Sequence, residues 1–539
     1  MSVALSEKEL INDKGHPPSL FILFFTEMWE RFSYYGMRAL LVLFLISSMS
    51  DGGWGWERKE ALQLYGIYTG LVYLTPIFGG LIADKLLGYR KAVVLGALIM
   101  TIGHASMALE SSTFFYIGLG CLIIGNGLFK PNISSIVGQL YTNNPEKKDA
   151  AYTIFYMGIN AGAFLGILLC GYIGEKVAWS YGFGLAGIFM LLGLLQFSFA
   201  QKIFGRIGLS PAGQKSYDAA GAMGTVNEDA GNYAENRAFQ KPLEQTKERA
   251  KEEEPAHVVR DRIIVISVFA FFTIFFWWAF EQAGGSMTVF AEDYTDRALS
   301  GSSATTFKIV NTLLTVVPMI ILTIVLANLF KQTFAKYALS NIFLGSSFLI
   351  IWGIVIWMLI REFKADATEV PASWFGILNS FFIISFAPLF SKMWESKYNP
   401  SGPVKFAIGL ILLGIGFAIL AYGGSTIPQG AKTASVSMLW LILAYLFHTL
   451  GELCVSPVGL SYVSKLAPVK LVGLMFGIWF IANFVANYTA GLTGSFIDDI
   501  TTKHSISFFF LIFTFIPIAA GLIMLALNKM LKKKMHGIE

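Results

Sequence analysis

The chain has 539 residues, of which 55% are hydrophobic and 14% are charged. In soluble globular proteins about a quarter of the residues are charged. The lower charged fraction here excludes a soluble globular protein and predicts an all-α protein with many membrane spans. The net charge of +5 indicates no nucleic-acid partner, because the basic residues lie mainly in loops on one side of the predicted membrane, and the three cysteines lie in apolar segments, so neither a disulfide framework nor a metal site is expected.

Fourteen apolar segments are long enough to span a bilayer, which takes about 20 helical residues. Six precede residue 206, at 18–49, 61–83, 91–110, 113–141, 150–175 and 181–205. Eight follow residue 260, at 262–291, 307–330, 339–361, 373–394, 404–423, 436–463, 470–496 and 505–530. The stretch between these two groups is rich in charged residues, which predicts a cytoplasmic linker.

This order predicts three parts of the chain. They are an N-terminal six-helix bundle over residues 1–205, a linker over 206–260, and a C-terminal six-helix bundle over 261–539 with an extra helix pair at about 307–361. Two bundles joined by a linker are typical of transporters that bind their substrate at the midplane between the halves. The extra pair is interpreted as a peripheral hairpin.

The charges of the loops predict the orientation. With the amino terminus inside, the cytoplasmic loops receive most of the basic residues, among them Lys85, Arg90, Lys91, Lys147, Lys148, Lys331, Lys336, Lys392, Lys397, Lys405, Lys465, Lys532, Lys533 and Lys534. The opposite loops are short or of mixed charge, so both termini are predicted to be cytoplasmic. The first apolar run has no small-residue cleavage site, so we expect it to remain in the membrane.

The first span carries four ionisable side chains near its middle. Positions i, i+4, i+7 and i+11 of a helix share one face, and this face holds Glu27, Arg31, Tyr34 and Arg38, with Glu30 at its edge. Each charge costs roughly 2.5–3.5 kcal/mol at the centre of a membrane helix, so the groups are expected to pair and to face a wetted interior. The stripe predicts a path for a proton and a substrate. An ion-paired packing seam, or an interfacial helix, is the structural alternative.

Three later spans contribute polar groups whose roles the sequence leaves open. Lys130, beside Pro131, either snorkels to the interface or provides a cation in the cavity. Asn160, among glycines, either bonds across a tight helix contact or binds a substrate amide. Glu281 follows two tryptophans and needs a cationic partner, for which Arg38 is suitable.

The span near residue 450 places His448, Glu452 and Ser456 on one face. His448 either relays protons with Glu452 or is held by packing; Glu452 needs a partner, and Lys130 would suit it.

Of the tyrosines on the second span, Tyr65 is expected in the interfacial belt and Tyr73 in a pocket.

Enzyme signatures are absent from the sequence, so we expect no enzymatic activity and no cofactor. We expect an ion gradient to be the energy source.

Several blocks of the sequence resemble one known family. The segment Glu27-Met-Trp-Glu30-Arg31-Phe-Ser-Tyr34-Tyr35-Gly36 resembles the ExxERFxYYG motif of the proton-dependent oligopeptide transporter family. The blocks at 79–91 and 155–162 resemble the two other signatures of that family. Further blocks match the family in the same order at 129–132, 277–281 and 451–457. The resemblance covers nearly all of the chain outside 206–260 and about 299–366.

This resemblance implies the fold of the major facilitator superfamily. It also implies proton-coupled import of di- and tripeptides by alternating access, with the peptide zwitterion held between the two bundles. The partners would be the peptide, the proton and membrane lipid, and the protein would act as a monomer in the bacterial inner membrane.

The resemblance also implies roles for the matching positions. Proton coupling would depend on Glu27, Glu30, Arg31 and Glu281. The peptide carboxylate would bind Arg31 and Lys130, and its amine would bind Glu452 with Asn160 and Asn379. The side-chain pockets and the remaining substrate contacts would be Tyr34, Tyr35, Arg38, Tyr73, Trp277, Ser456, Trp479 and Phe480. Arg38 with Glu281 would close the outer gate, and Lys130 with Glu452 the inner gate.

Three departures from the family limit these assignments. The extra pair follows the span of Glu281, whereas bacterial members usually carry it in the middle linker. Ser380 stands after Asn379 where the family often has proline, and the second span has no histidine, so coupling must rest on acids. A carrier of nitrate or another small anion, and a transport-inactive receptor, are the competing hypotheses; the intact ExxER motif argues against both.

Overall fold

The structure, a computed structural model, describes residues 15–142, 144–222, 255–397, 399–468 and 471–538. Before residue 206 it contains six long helices. These are α1 (Pro18–Ile46), α2 (Arg58–Ile82), α3 (Tyr89–Met107), α4 (Ser112–Leu140), α5 (Lys148–Lys176) and α6 (Trp179–Ala200). A shorter helix, α7 (Pro211–Ala222), follows within the predicted linker. Residues 223–254, the greater part of that linker, lie outside the described residues.

The second half of the described chain contains eight long helices and two short ones. In order they are α8 (Ala256–Phe280), the short α9 (Ser286–Asp293), α10 (Gly301–Thr333), α11 (Ala338–Lys364), α12 (Ile377–Glu395), α13 (Gly402–Gly423), α14 (Leu439–Leu466), α15 (Val472–Gly494), the short α16 (Ile497–Lys503) and α17 (Ile506–Lys534).

Four strands of two residues each lie on the predicted outer side. Strand β1 (Thr295–Asp296) pairs in parallel with β4 (Val436–Ser437), and β2 (Ala298–Leu299) pairs antiparallel with β3 (Thr368–Glu369). Twelve helical stretches within the described ranges are long and apolar enough to span a membrane. Helix α1, which is charged, and α3, which has 19 residues, are not among these twelve. With them, the described ranges contain fourteen long helices. The prediction of an all-α membrane protein with fourteen long helices is confirmed.

Helix α1 lies against α5 and α6, and glycines on α5 allow the closest approach. A Cβ atom on Gly162 would collide with the carbonyl oxygen of Met28, and one on Gly166 with that of Phe32. Small residues let membrane helices pack backbone to backbone. The contact fixes α1 on both sides of Glu30 and Arg31, so the charged middle of this helix has a defined depth in the bundle.

The two halves of the molecule meet at their outer ends and separate at their cytoplasmic ends. A Cβ on Gly66 of α2 would lie 2.7 Å from the Cα of Gly491 on α15. Nearer the cytoplasm, a Cβ on Gly80 of α2, or on Gly473 or Gly477 of α15, would have no heavy atom of the described residues within 4 Å. At these positions the two halves touch on the outer side and lie apart on the cytoplasmic side.

The helix pair α10–α11 packs on the first half of the chain, although it belongs to the second half in sequence. Near the cytoplasmic end of the pair, the Ser340 hydroxyl donates to the carbonyl oxygen of Gln196 on α6 at 2.8 Å. In the middle, the ring of Phe348 lies 5.6 Å from that of Phe25 and 5.8 Å from that of Trp29, both on α1.

At the outer end of the pair, the Tyr172 hydroxyl of α5 donates to Glu362 at 2.6 Å, and Arg361 donates to the carbonyl oxygen of Lys176 at 3.0 Å. The opposite face of α10 exposes large apolar side chains such as Leu313 and Ile324. The pair is thus peripheral and docked along its whole length on α1, α5 and α6. The domain boundaries predicted from the sequence stay a prediction.

We expect Phe348→Ala to loosen this docking. The ring is 4% exposed, and truncating a buried phenylalanine removes apolar contacts and leaves a cavity, at a cost of about 3 kcal/mol. The melting temperature in detergent should fall markedly. Leu349→Ala is the matched control, because the neighbouring side chain is 77% exposed and should change the melting temperature little. Equal shifts in the two variants would contradict the docking.

Candidate functional site

The charged middle of α1 forms a compact buried cluster. Arg31 Nε lies 3.0 Å from Glu27 Oε1, and the same nitrogen contacts Glu30. All three side chains are at most 4% exposed. Two carboxylates share one guanidinium, so when both are ionised these three side chains carry one net negative charge, which the ammonium of Lys130 on α4 partly offsets. A single proton on either acid removes that charge, which makes the cluster suited to bind a proton.

Helix α4 brings two polar groups to this cluster. The Asn126 amide donates to Glu30 Oε1 at 3.0 Å, and Asn126 is fully buried. Lys130, one turn further along the same face, has its ammonium 4.5 Å from the centre of the Tyr73 ring, a cation–π contact. Sequence reasoning gave no role to Asn126; its position between two glycines inside a membrane span was the available signal.

The second half contributes an acid held by an amide. Glu452 of α14 is 9% exposed and accepts a hydrogen bond from Asn379 of α12 at 2.8 Å. Asn379 also donates to Thr449 at 3.2 Å. The predicted inner pair of Lys130 with Glu452 is not formed among the described residues, because each has a different partner. This agrees with the separated cytoplasmic ends of the two halves.

Arg38 and Glu281 form a salt bridge between α1 and the end of α8. Arg38 Nε also donates to the Tyr65 hydroxyl at 2.9 Å. Tyr65 is fully buried, so the expectation that it belongs to an interfacial belt was wrong. Its hydroxyl accepts a hydrogen bond from the buried Arg38. The position of a tyrosine near a helix end does not predict such a partner from the sequence.

Further ion pairs close the outer side, and the sequence analysis missed them. Arg58 of α2 bonds to Asp293 at 2.9 Å, to Asp498 at 2.7 Å and to the carbonyl oxygen of Lys432 at 3.1 Å. Because Arg58 belongs to the first half and its partners to the second, these contacts join the halves directly. In the sequence these residues lie in loops of mixed charge, from which the partners of an ion pair cannot be predicted.

Glu175, at the outer end of α5, makes a further contact between the two halves, through hydrogen bonds to the backbone. Its carboxylate accepts from the backbone N–H groups of Ala372 at 2.7 Å and of Ser373 at 3.0 Å. Nearby, Lys176 bonds to Glu369 at 2.7 Å. Partial burial alone would raise the pKa of Glu369, but the hydrogen bond from Lys176 and the charge of Arg297 outweigh it and hold this pKa below its ordinary value.

The remaining predicted site residues are found as follows. Tyr34 is 4% exposed and its ring meets that of Tyr35 at 5.1 Å; Trp277 packs on Phe276 and Phe280. The Asn160 amide donates to the carbonyl oxygen of Tyr156 on its own helix at 3.0 Å. Trp479 is buried, and Phe480 and Ser456 are partly buried. His448 packs against Phe417, with no hydrogen-bond partner among the described residues.

The site therefore combines opposite charges from the two halves. Arg31 and Lys130 on the first half are cations, and Glu452 on the second half is an acid. Arg31 Nη2 is buried without a hydrogen-bond partner among the described residues, so it retains a donor for an anionic group. Aromatic side chains lie around these groups. Such an arrangement suits a zwitterion with an apolar body.

Comparison with known proteins identifies relatives of similar length. A family model described as the POT family matches residues 90–357 and 345–510. The chain is 32% identical to the uncharacterised transporter YclF of Bacillus subtilis, over 97% of this chain and 96% of that protein. It is 32% identical to the peptide transporter YePEPT of Yersinia enterocolitica, over 90% and 88%. It is 29% identical to a di-/tripeptide transporter of Lactococcus lactis, over 97% and 98%.

Two solved structures show the same architecture. A crystal structure of a peptide transporter POT in complex with sulfate superposes with a TM-score of 0.71 at 29% identity, over 99% of this chain and 100% of that one. A POT family transporter in complex with 5-aminolevulinic acid superposes with a TM-score of 0.72 at 26% identity, over 97% and 98%. The similarity extends over the whole of both chains.

We expect Arg58→Ala to weaken the outer closure. It removes two ion pairs between the halves, each worth about 0.5 kcal/mol at this exposure, so outer opening should increase roughly fivefold. The measurement is labelling of Leu62→Cys, a buried position at the contact of α2 with α15, by a membrane-impermeant maleimide in a variant without the native cysteines. Lys59→Ala, at an exposed neighbour, is the control. Identical labelling rates would show that closure does not depend on Arg58.

Proposed function

The chain belongs to the POT family of membrane transporters, and we propose that it imports di- and tripeptides in symport with protons. The observation that carries the proposal is the buried Glu27–Arg31–Glu30 cluster on α1. The protein has the major facilitator superfamily fold and crosses the membrane many times. Alternating exposure of the site between the halves moves the peptide.

A peptide zwitterion matches the charges of the site. Its carboxylate binds Arg31, which has a free donor, and Lys130, which lies one turn from Asn126 on α4. Its amine binds Glu452, which Asn379 orients through the 2.8 Å hydrogen bond. Asn160, on α5, bonds the peptide backbone in this proposal. The termini of the peptide are thus recognised by charge, whatever its side chains are.

The side chains of the peptide lie among aromatic residues. We propose that Tyr34, Tyr35, Tyr73, Trp277, Trp479 and Phe480 form these pockets, together with Ser456. Aromatic surfaces bind by area and dispersion rather than by a fixed hydrogen-bond pattern, so they accept side chains of different shape. Broad selectivity among di- and tripeptides follows.

The proton acts by changing the partners of Arg31. When Glu27 or Glu30 takes up a proton, one carboxylate no longer competes for the guanidinium, and Arg31 can bind the peptide carboxylate instead. A charge that moves through 100 mV gains about 2.3 kcal/mol, enough to concentrate a peptide substantially. The gradient supplies the energy, and no cofactor takes part.

The closed outer side represents one end of the transport cycle. To open outward, the protein must break the Arg38–Glu281 salt bridge, and a proton on Glu281 neutralises one partner of that pair. When the cytoplasmic side closes instead, Lys130 and Glu452 come within reach of each other. We propose that the protein acts as a monomer, in the inner membrane of a bacterium.

Uptake of a labelled dialanine into proteoliposomes tests the proposal. An inward proton gradient should drive accumulation by the wild type. Glu27→Gln keeps the shape of the side chain but cannot exchange a proton, so it should abolish gradient-driven uptake and retain peptide exchange at equal pH. Glu60→Gln, at an exposed acid in the first turn of α2, is the matched control and should behave as the wild type.

Two results would change the assignment. If the wild type takes up no di- or tripeptide, the substrate class is wrong, and nitrate and other small solutes become the next candidates. If Glu27→Gln leaves gradient-driven uptake intact, the substrate stands but the proton site is Glu30, Glu281 or Glu452 instead of Glu27.

A further inference from the structure

A buried amide outside the signature motif contacts the proton-binding cluster. Asn126 is fully buried and its Nδ2 donates to Glu30 Oε1 at 3.0 Å. The other end of the amide, Oδ1, is buried with no hydrogen-bond partner among the described residues. An asparagine amide carries both donors and an acceptor. The amide therefore uses a donor at Glu30 and has an acceptor that is not in use.

The backbone of α4 is fixed at this point. A Cβ on Gly125 would lie 2.7 Å from the carbonyl oxygen of Gly96 on α3, and a Cβ on Gly127 would lie 2.6 Å from the Cβ of Thr75 on α2. Packing at such distances prevents α4 from moving away from α1 without disturbing two helices. Only the side chain of Asn126 can adjust, by rotation about its last single bond, which has a broad two-fold preference.

We infer that Asn126 is a positioning residue that matches its hydrogen bond to the protonation state of Glu30. The ionised carboxylate accepts from Nδ2–H. When Glu30 takes up the transported proton, the amide turns by half a rotation and Oδ1 accepts from the new O–H group. Glu30 forms one O–H bond when the proton enters and breaks it when the proton leaves; all other changes are in hydrogen bonds. The inference rests on the proposed function and deepens it.

A neutral partner is what this position needs. The charged and titratable groups that act on Glu30 come from three helices and are Glu27 and Arg31 on α1, Lys130 on α4 and Tyr68 on α2. A further cation would hold Glu30 ionised, and a further acid would hold it protonated. An amide serves both states without adding charge, so the proton can be both taken up and released within one cycle.

Asn126→Leu should make proton release harder. Leucine is of similar size and offers neither donor nor acceptor. The hydrogen bond to the ionised acid is the stronger of the two, so its loss favours the protonated acid. The pH of half-maximal gradient-driven dialanine uptake should rise by about one unit. The kcat should fall, because release into a near-neutral interior slows, while KM for the peptide changes little.

Two further variants separate this role from general packing. Asn126→Thr keeps a hydroxyl that can donate and accept, so its midpoint should shift less than that of Asn126→Leu. Asn487→Leu removes another buried amide, which among the described residues donates to the carbonyl oxygen of Asn483 in its own helix, and should keep the wild-type midpoint. Dialanine exchange at equal pH checks that each variant is folded and binds peptide.

Infrared difference spectra between acid and neutral pH provide a direct readout. The carboxylic acid band of Glu30 is identified by its loss in Glu30→Gln. The frequency of this band should change in Asn126→Thr and in Asn126→Leu, because the acceptor of the O–H group has changed, and it should stay in place in Asn487→Leu.

The inference is overturned by an unchanged midpoint in an Asn126→Leu protein that exchanges dialanine normally. An equal shift in Asn487→Leu would also overturn it, since any buried amide would then have the effect. If Asn126→Leu does not fold, a Glu30 band identical in Asn126→Thr and the wild type decides against it. A wild type without peptide uptake refutes the proposed function instead, and the infrared result still tests Asn126.

Discussion

Burial of two carboxylates beside one guanidinium in α1 is the constraint on which the rest of the structure depends. Such charges are costly in a membrane unless they are paired and hydrogen-bonded. The fold meets this requirement in two ways. Gly162 on α5 lets the backbones touch and so fixes the depth of Arg31, and α4 supplies the amide of Asn126 to Glu30. The two acids and Arg31 together keep one net negative charge, the amount that one proton can neutralise.

Charge pairing also determines which side of the molecule is closed. On the outer side, Arg58 and Arg38 each bind acids from the opposite half, and the glycine contact of α2 with α15 lets these partners reach each other. On the cytoplasmic side, Lys130 and Glu452 are held by other groups. Pairs of modest strength suffice for a gate, because a strong closure could not be reversed by binding of a proton and a peptide.

The helix pair α10–α11 shows that chain order and packing can disagree. It follows α8 in sequence, yet Phe348 and Ser340 pack on α1 and α6 of the first half. Its two connections to the second half are short segments that include β2 and β3. Hydropathy predicted the existence of both helices. It could not predict their partners, because lipid and protein surfaces are equally apolar and the pattern does not distinguish them.

The sequence by itself determined what is local. Apolar length predicted fourteen long helices, and helical spacing placed Glu27, Arg31 and Arg38 on one face. Tertiary structure decided which distant groups meet: Tyr65 with Arg38, and Asn126 with Glu30. Spacing along one helix is fixed by its own geometry. A contact between helices depends on their relative height and rotation, which close glycine packing sets only once the whole bundle has assembled.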